Sequence, residues 1–285
     1  MTQRFDGRGL LARRELLWLA GGVGIAAVAA ACGNREAERL AETASAVPEP
    51  SAAPPPAPVP FVGASAPLLC RESWGARPAK PGGVRHTINR LTIHHTAVVL
   101  GDNRLAPERL RQHQRLHQDE RGWIDIAYHI SVDRNGNIYQ LRSPELVGDT
   151  ATEYDPTGHF LLLCEGNFEE EAVSEEQLRG AALVLAWAAQ TYRVPTETLA
   201  THRDFASTAC PGENLYVHVT SGDLKRRIDA FVAAGPVALS LICGPEADAV
   251  VADIEAGRSP TESHMPTTDV ETPDQPLDDG MQHDR

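Results

Sequence analysis

The chain has few Lys and Arg residues, and they form no long cluster in the sequence. Its 285 residues include 26 Lys and Arg against 39 Asp and Glu, a formal net charge of −13. Proteins that bind nucleic acid carry a clustered excess of Lys and Arg, and no such stripe occurs here. The sequence also lacks an internal repeat, so repeat architectures are excluded. We therefore expect no nucleic-acid partner and a fold with a non-repeating core.

An apolar segment long enough to span a membrane is missing at the N-terminus. The run from Leu16 to Ala31 is short for a spanning helix and contains three glycines. It follows Arg13-Arg14-Glu15-Leu16-Leu17, which resembles a twin-arginine export motif, and Cys32 follows three alanines as in a lipoprotein cleavage site. We expect residues 1–32 to be an export signal with Cys32 lipidated; ordinary cleavage and an uncleaved anchor are the alternatives. The expected location is the cell envelope, with a membrane anchor and the domain facing the periplasm or cell wall.

Both ends of the chain are poor in core-forming residues. Residues 33–66 are rich in Pro and Ala, which favours an extended linker. Residues 245–285 contain no aromatic residue, and from Glu246 onward eleven carboxylates face two arginines. This composition predicts a disordered acidic tail. The remaining residues, 67–244, suffice for one domain, which we expect to be monomeric.

Strand and helix patterns alternate within residues 67–244. Strands are predicted over residues 90–99, 127–132, 138–141 and 160–164, with Asn135-Gly136 at a hairpin turn. Helices are predicted from Pro107 to about Asp119, from Glu175 to Tyr192 behind a Ser174–Gln177 capping box, and from Leu215 or Asp223 to about Ala234. This order predicts an α/β domain with a central mixed β-sheet flanked by helices.

Three residues of this domain have the chemistry of zinc ligands. His94 lies in an apolar run, while His202 and Cys210 share a short loop before Pro211-Gly212. Imidazole nitrogen and thiolate sulfur both suit Zn²⁺, and three protein ligands leave a fourth position for water or substrate. Because neighbouring residues on a strand point to opposite faces, only one of His94 and His95 can face the metal, and position alone does not decide which.

Other interpretations of these residues stay open. Cys210 could be the nucleophile of a Cys–His hydrolase, or part of a disulfide or a structural zinc site. His113 and His117, four apart on a helix, form a rival metal pair, although no Glu stands between them as in a His-Glu-x-x-His metalloprotease. Tyr128 and Thr208 could each reach a substrate on the metal, but either residue alone indicates nothing.

The remaining cysteines carry weaker predictions. Cys70 and Cys243 lie near the two ends of the domain and could form a bridge in an oxidising compartment. Cys164 lies inside an apolar strand, which predicts a small buried apolar side chain.

Four segments resemble the zinc N-acetylmuramoyl-L-alanine amidases of type 2, whose superfamily includes the peptidoglycan recognition proteins. They are Arg71–Pro78, Ile93–Ala97, Gly122–His129 and His202–Gly212. The resemblance covers about residues 68–235, in the expected order. It implies that the metal ligands are His94, His202 and Cys210, and that Tyr128 is the active-site tyrosine.

The resemblance also implies an activity. Thr208 matches a position held by Thr in catalytic recognition proteins and by Lys in phage-type amidases. Binding-only members of the superfamily lose the first ligand or the cysteine, and all three ligands are present here. The implied reaction is zinc-dependent hydrolysis of the amide bond between N-acetylmuramic acid and L-alanine in peptidoglycan or muropeptides. A non-catalytic peptidoglycan-binding module is the alternative.

Two regions depart from the family pattern. Residues 147–159 differ from the segment that precedes the next strand in the family, so the substrate groove is not predicted from the resemblance. Leu163 stands where some members carry a Glu that shuttles protons, and Glu165 falls in a different register. The resemblance therefore assigns no proton shuttle.

Overall fold

The computed structural model describes residues 63–258, which form a seven-stranded sheet with helices on both faces. The strands are β1 (Ala64–Leu69), β2 (Arg90–His95), β3 (Ile130–Val132), β4 (Ile138–Gln140), β5 (His159–Cys164), β6 (Ala200–Thr201) and β7 (Val237–Ile242). The helices are α1 (Ala106–Arg115), α2 (Glu175–Tyr192), α3 (Glu213–Thr220), α4 (Asp223–Ala234) and α5 (Pro245–Glu255), and a π-helical stretch, Leu116–Glu120, continues α1.

The sheet is mixed, as the sequence predicts. Its strand order is β6-β2-β5-β3-β4-β1-β7. Only β3 and β4 pair antiparallel, through Val132↔Ile138, and every other neighbouring pair is parallel. Parallel strands end at the same edge of a sheet, which is where α/β proteins bind their ligands. The carboxyl ends of β2, β5 and β6 share one such edge.

A hydrophobic core lies on each face of the sheet. On one face, α2 and α4 pack against the strands through residues such as Leu185 and Ile228, which are fully buried. On the other face, Trp74, Leu110 of α1 and Val251 of α5 pack together with Leu163 of β5. Residues 162 and 163 belong to opposite cores, as the alternation of side chains along a strand requires.

The predicted start of α2 is confirmed, but the predicted capping box is wrong. The Ser174 side chain accepts a hydrogen bond from the Gln177 backbone N–H at 3.1 Å. The Gln177 side chain does not return to Ser174; it donates to the carbonyl oxygens of Val132 and Glu165, both at 3.0 Å. Gln177 is fully buried, and it ties the helix start to β3 and the end of β5.

Several predicted bounds change in the structure. The strand predicted over 90–99 ends at His95, because Ala97 takes a left-handed φ of 56°. Tyr128 was predicted on a strand but precedes β3, which begins at Ile130. The last predicted helix is two helices, α3 and α4, separated by Gly222 with a φ of 72°.

The folded unit is longer than the predicted 67–244. β1 begins at Ala64, inside the predicted linker, and pairs along its length with β7, which the sequence analysis missed. Helix α5 falls in the predicted disordered tail, yet its Ala247, Val251 and Ile254 are buried.

The export signal, Cys32 and most of the linker lie outside the described residues. Among residues 63–258, no helix is both long enough and apolar enough to cross a bilayer.

Candidate functional site

The pairing of two parallel strands brings His94 and His202 together. β2 and β6 are aligned through Ile93↔Thr201. His94 follows Ile93 on β2, and His202 follows Thr201 directly after the end of β6, so the two residues lie side by side at this edge of the sheet. Their ring centroids are 4.9 Å apart. Two histidines separated by more than a hundred residues thus become neighbours because β2 and β6 pair in this register.

A folded-back loop brings Cys210 to these histidines. The Asp204 carboxylate accepts hydrogen bonds from the Thr201 N–H at 2.7 Å and the Thr201 hydroxyl at 2.8 Å, which fixes the turn after β6. The Arg203 N–H then donates to the Cys210 carbonyl at 3.1 Å. At Gly212 the φ is 86°, and a Cβ would lie 2.6 Å from the Phe168 carbonyl carbon. Glycine lets the loop pack this closely.

The donor atoms of His94, His202 and Cys210 lie within 4.8 Å of one another. His94 Nδ1 is 3.7 Å from Cys210 Sγ, and the Nε2 of His202 is hydrogen-bonded to the Thr152 hydroxyl at 2.7 Å. His94 therefore presents Nδ1 to the sulfur, and the Thr152 contact leaves Nδ1 of His202 to bind an ion. No fourth His, Cys, Asp or Glu of residues 63–258 joins the group. The set can hold a metal ion and leaves a coordination position open.

His95 is kept away from this group. Its ring stacks on Phe168, with centroids 6.0 Å apart, and its Nδ1 accepts a hydrogen bond from the Phe168 N–H at 3.3 Å. Only its backbone reaches the group, where the N–H points to Cys210 Sγ at 3.5 Å. The structure thus divides the His-His pair as strand geometry requires, with His94 on the side of Cys210.

The electrostatics of the group favour neutral imidazoles. Burial lowers the pKa of His94 well below its usual value, and the neighbouring His202 lowers it further. Burial also lowers the pKa of His202. Burial raises the pKa of the Cys210 thiol to about 12, against the opposing effects of the His95 N–H and the Arg203 charge. A metal must displace the thiol proton, so binding releases a proton.

Tyr128 and Thr208 lie beside the three donors. The Tyr128 ring centroid is 5.2 Å from that of His94. Burial raises the pKa of the Tyr128 phenol, and the Cys210 sulfur adds to this effect, so the phenol stays protonated and can donate. The Thr208 hydroxyl accepts a hydrogen bond from the Cys210 N–H at 3.2 Å. This contact leaves the hydroxyl proton of Thr208 free to donate elsewhere.

Two further residues of the site were missed by sequence analysis. Thr152 binds His202, as described above, and Thr150 holds it in place through a hydroxyl–hydroxyl contact of 2.7 Å. The Tyr154 ring stacks on Phe205 and lies 5.0 Å from the His202 ring. Within residues 63–258 no partner reaches the buried Tyr154 hydroxyl. Both residues belong to an irregular loop, where neither periodicity nor a motif indicates a role.

An open cleft of about 580 Å³ adjoins the site. Thr152 and Tyr154 form its boundary with the three donors, and Trp123, Arg142 and Asp149 also line it. Arg142 is buried and holds the floor together, since it donates to the carbonyl oxygens of Asp125, Ile126 and Val147 and pairs with the Asp149 carboxylate. The lining is polar on several sides, which suits a ligand rich in hydroxyl and amide groups.

The other candidate residues are not part of the group formed by the three donors. His117 accepts a hydrogen bond at Nδ1 from the Ala127 N–H at 3.1 Å, and no metal-binding group among residues 63–258 includes His117 or His113. Glu165 is buried and accepts from the Ser131 hydroxyl at 3.0 Å; burial raises its pKa to about 8. Cys164 is fully buried, as predicted.

Known proteins resemble this chain over the region that contains the three donors. The sequence model of the N-acetylmuramoyl-L-alanine amidase family (Amidase_2) matches residues 84–213, which include all three donors. Peptidoglycan-recognition protein LB of Drosophila melanogaster is 31% identical over 164 residues, covering 55% of this chain and 69% of that protein. An N-acetylmuramoyl-L-alanine amidase of Sus scrofa is 33% identical over 154 residues, covering 52% of this chain and 25% of that protein.

Solved structures agree with the fold. Drosophila peptidoglycan recognition protein SD superposes with a TM-score of 0.50 at 28% identity, covering 54% of this chain and 93% of that one. Peptidoglycan recognition protein-LE, solved in complex with tracheal cytotoxin, a monomeric diaminopimelic acid-type peptidoglycan, superposes with a TM-score of 0.50 at 26% identity. That comparison covers 54% of this chain and 92% of the other.

Proposed function

The chain belongs to the family of N-acetylmuramoyl-L-alanine amidases and peptidoglycan recognition proteins, and we propose that it is a zinc-dependent amidase. Its reaction would be hydrolysis of the amide bond between N-acetylmuramic acid and L-alanine in peptidoglycan. The family contains both amidases and recognition proteins. The choice between them rests on one observation, the complete set of donor atoms from His94, His202 and Cys210 within 4.8 Å.

The donor set fits zinc. Two imidazoles and one thiolate are ligands that zinc accepts, and catalytic zinc sites use three protein ligands with one open position. The fit is supported by the exposed cleft beside the donors and by the absence of a fourth donor among residues 63–258. When bound, zinc would supply Lewis acidity, which polarises the scissile carbonyl and acidifies water near neutral pH.

The residues around the donors would handle the developing charge. Tyr128 and Thr208 both carry protons that can be donated to the carbonyl oxygen as it becomes an oxyanion. The Cys210 N–H holds the Thr208 hydroxyl in one orientation, and burial keeps the Tyr128 phenol protonated. The His95 N–H directed at Cys210 Sγ would stabilise the negative charge of the thiolate.

The cleft would bind the glycan and its stem peptide. Peptidoglycan recognition protein-LE binds tracheal cytotoxin, a peptidoglycan fragment. In this chain the cleft lies next to the donors and is lined by both charged and apolar groups, including Arg142, Asp149 and Trp123. A muropeptide seated there would present its lactyl–alanine amide near Thr152 and Tyr154.

Digestion of purified peptidoglycan tests the proposal. We expect mass spectrometry to detect free stem peptides that begin with L-alanine, together with glycan strands that retain N-acetylmuramic acid. A chelator should abolish their release, and added Zn²⁺ should restore it. Peptidoglycan that is bound but not cleaved would instead identify a recognition module. Activity that resists chelation but is lost on thiol alkylation would identify a Cys–His hydrolase.

The N-terminal residues, outside the described range, suggest where the enzyme would act. The twin-arginine-like motif would direct export, and Cys32 would carry the lipid that anchors a monomeric enzyme to the envelope. We expect a fatty-acid probe to label the full chain in cells but not its Cys32→Ala variant. Equal labelling of the two, or none, would contradict the anchor without affecting the hydrolase proposal.

A further inference from the structure

Two cysteines far from the candidate metal centre lie side by side. Cys70 directly follows β1 and Cys243 directly follows β7, and these strands pair in parallel through Leu69↔Ile242. The Cys70 N–H continues the ladder by donating to the Ile242 carbonyl at 3.0 Å. The sulfur atoms of Cys70 and Cys243 lie within 4.8 Å of each other and of a Glu72 carboxylate oxygen.

We infer that Cys70 and Cys243 form a disulfide that joins the two ends of the domain. Neighbouring strands in a sheet lie about 4.8 Å apart, which is inside the Cα separation of about 4.4 to 6.8 Å that disulfides span. The backbone therefore needs no movement for the sulfurs to bond. Cys70 is buried and Cys243 is exposed, so an oxidant reaches Cys243 first and Cys70 completes the bond.

The reaction requires an oxidant, and a small disulfide such as oxidised glutathione suffices. The Cys243 sulfur attacks the glutathione disulfide, forms a mixed disulfide and releases one glutathione thiol. The Cys70 sulfur then attacks the Cys243 sulfur and releases the second. Two electrons and two protons pass in this way from the cysteines to the two glutathione products. Burial and the neighbouring Cys243 raise the pKa of Cys70 to about 11, consistent with Cys70 acting second.

A metal ion is the competing occupant of this cluster. Thiolates and a carboxylate are suitable ligands, but Glu72 and Cys243 are both exposed, and no fourth donor joins them among residues 63–258. A structural zinc site is closed by four ligands. The strand pairing, by contrast, aligns the two sulfurs without help from Glu72. The geometry therefore favours the disulfide.

The bond would fasten elements that lie outside the family match. β1, β7 and α5 all fall beyond residues 84–213. β7 is an edge strand, and α5, which follows it, covers the core around Trp74. A bond between residues 70 and 243 closes a loop through almost the whole domain, and long loops restrict the unfolded chain most. The disulfide would thus hold a C-terminal addition onto the sheet.

The test uses the full zinc-loaded protein, oxidised with glutathione disulfide, and its Cys243→Ser variant. Peptide mapping without reductant should link the peptide containing Cys70 to the peptide containing Cys243. Reduction should lower the melting temperature of the wild type by about 10 °C, a size expected for a long-loop disulfide, and should leave the variant unchanged. Because Cys243 is exposed, its replacement should not disturb the reduced fold.

Three results would overturn the inference. The first is that both thiols remain open to alkylation after oxidation. The second is a bridge from either cysteine to Cys164 or Cys210. The third is a second equivalent of zinc that the wild type retains and the Cys243→Ser variant loses, which would identify a metal site instead. None of these readouts depends on peptidoglycan cleavage, so they are independent of the proposed activity.

Discussion

The Thr152 hydroxyl lies 2.7 Å from Nε2 of His202. This contact engages Nε2 of the ring, so Nδ1 is the nitrogen that remains to bind a metal ion. Partners of this kind fix the tautomer and orientation of histidine ligands. Thr152 is itself held by Thr150, whose hydroxyl also accepts a hydrogen bond from the Thr152 N–H at 3.1 Å.

Removing the Thr152 hydroxyl should therefore weaken metal binding. We expect Thr152→Val to lower zinc affinity by about 10-fold to 100-fold, while Thr152→Ser, which keeps the hydroxyl, stays near the wild type. Competition with a chromophoric chelator measures both. Thr157→Val is the matched control. Thr157 lies on the same loop, but its N–H and its side chain are hydrogen-bonded to Asp155 and not to a histidine. Equal affinities for the Val and Ser variants at position 152 would show that Thr152 does not position the ligand.

Removing the Tyr128 hydroxyl should slow turnover and leave the metal in place. Loss of one donor to an oxyanion typically costs about 100-fold or more in rate, so we expect kcat of Tyr128→Phe to fall by about that factor. Zinc content, measured on the same preparation, should equal that of the wild type. Tyr192→Phe serves as the control because Tyr192 packs on Phe160 and Trp187. A Tyr128→Phe enzyme with wild-type kcat would remove Tyr128 from the mechanism.

The buried histidines should make the fold sensitive to acid. Burial lowers the pKa of His129 to about 3, and its ring is held neutral, with Nδ1 accepting from the Leu161 N–H and Nε2 bonded to the Leu146 carbonyl. The unfolded chain has a histidine pKa near 6.5, so it takes up the proton first as pH falls. The stabilisation is complete above pH 6.5 and is lost as pH falls from there towards 3.

Urea unfolding of the metal-free protein at several pH values tests this expectation. The free energy of unfolding should fall with decreasing pH, by at most about 1.4 kcal/mol per pH unit for each such histidine. His129→Gln should lower the free energy of unfolding near neutral pH. It should also make that free energy depend less steeply on pH, by up to about 1.4 kcal/mol per pH unit, because one titrating group is lost. Identical slopes for the two proteins would mean that His129 titrates alike in the folded and unfolded states. Burial lowers the pKa in the same direction at His95, His113, His117 and His159.

Helix α5 should contribute to stability in spite of its acidic sequence. Ile254 is 3% exposed and belongs to the core that contains Trp74 and Leu110. We expect Ile254→Ala to lower the free energy of unfolding by about 3 kcal/mol, as for other buried Ile to Ala changes. Val217→Ala on α3, where half of the side chain is exposed, should cost less than about 0.5 kcal/mol. Similar values for the two variants would indicate that α5 does not pack on the domain.

Local patterns predicted those parts of the fold that depend on local physics. The apolar run around His94, the hairpin turn at Asn135-Gly136 and the Ser174 cap each follow from neighbouring residues, and each occurs in the structure. α5 was missed because its carboxylates dominate the composition, while its buried Val251 and Ile254 are too few to produce a clear signal. β7 was missed because its alternation is weak and its partner, β1, lies at the other end of the chain.

At the site, too, some features follow from neighbouring residues and others only from long-range contacts. Residue chemistry and family resemblance singled out His94, His202 and Cys210, but strand alternation alone could not choose between His94 and His95. The register Ile93↔Thr201 makes that choice, and register is a long-range property. Thr152 and Tyr154 could not be predicted because they lie on an irregular loop whose path is set by tertiary contacts such as those of Arg142.

X-ray absorption at the zinc edge tests the central claim most directly. For the purified full chain we predict one zinc ion whose first shell contains one sulfur at about 2.3 Å and two imidazole nitrogens at about 2.0 Å, completed by a lighter, exchangeable ligand. Cys210→Ala should lose the sulfur or the metal, and Cys164→Ala should retain both. A shell without sulfur, a shell with two sulfurs, or a spectrum unchanged by Cys210→Ala would contradict the account.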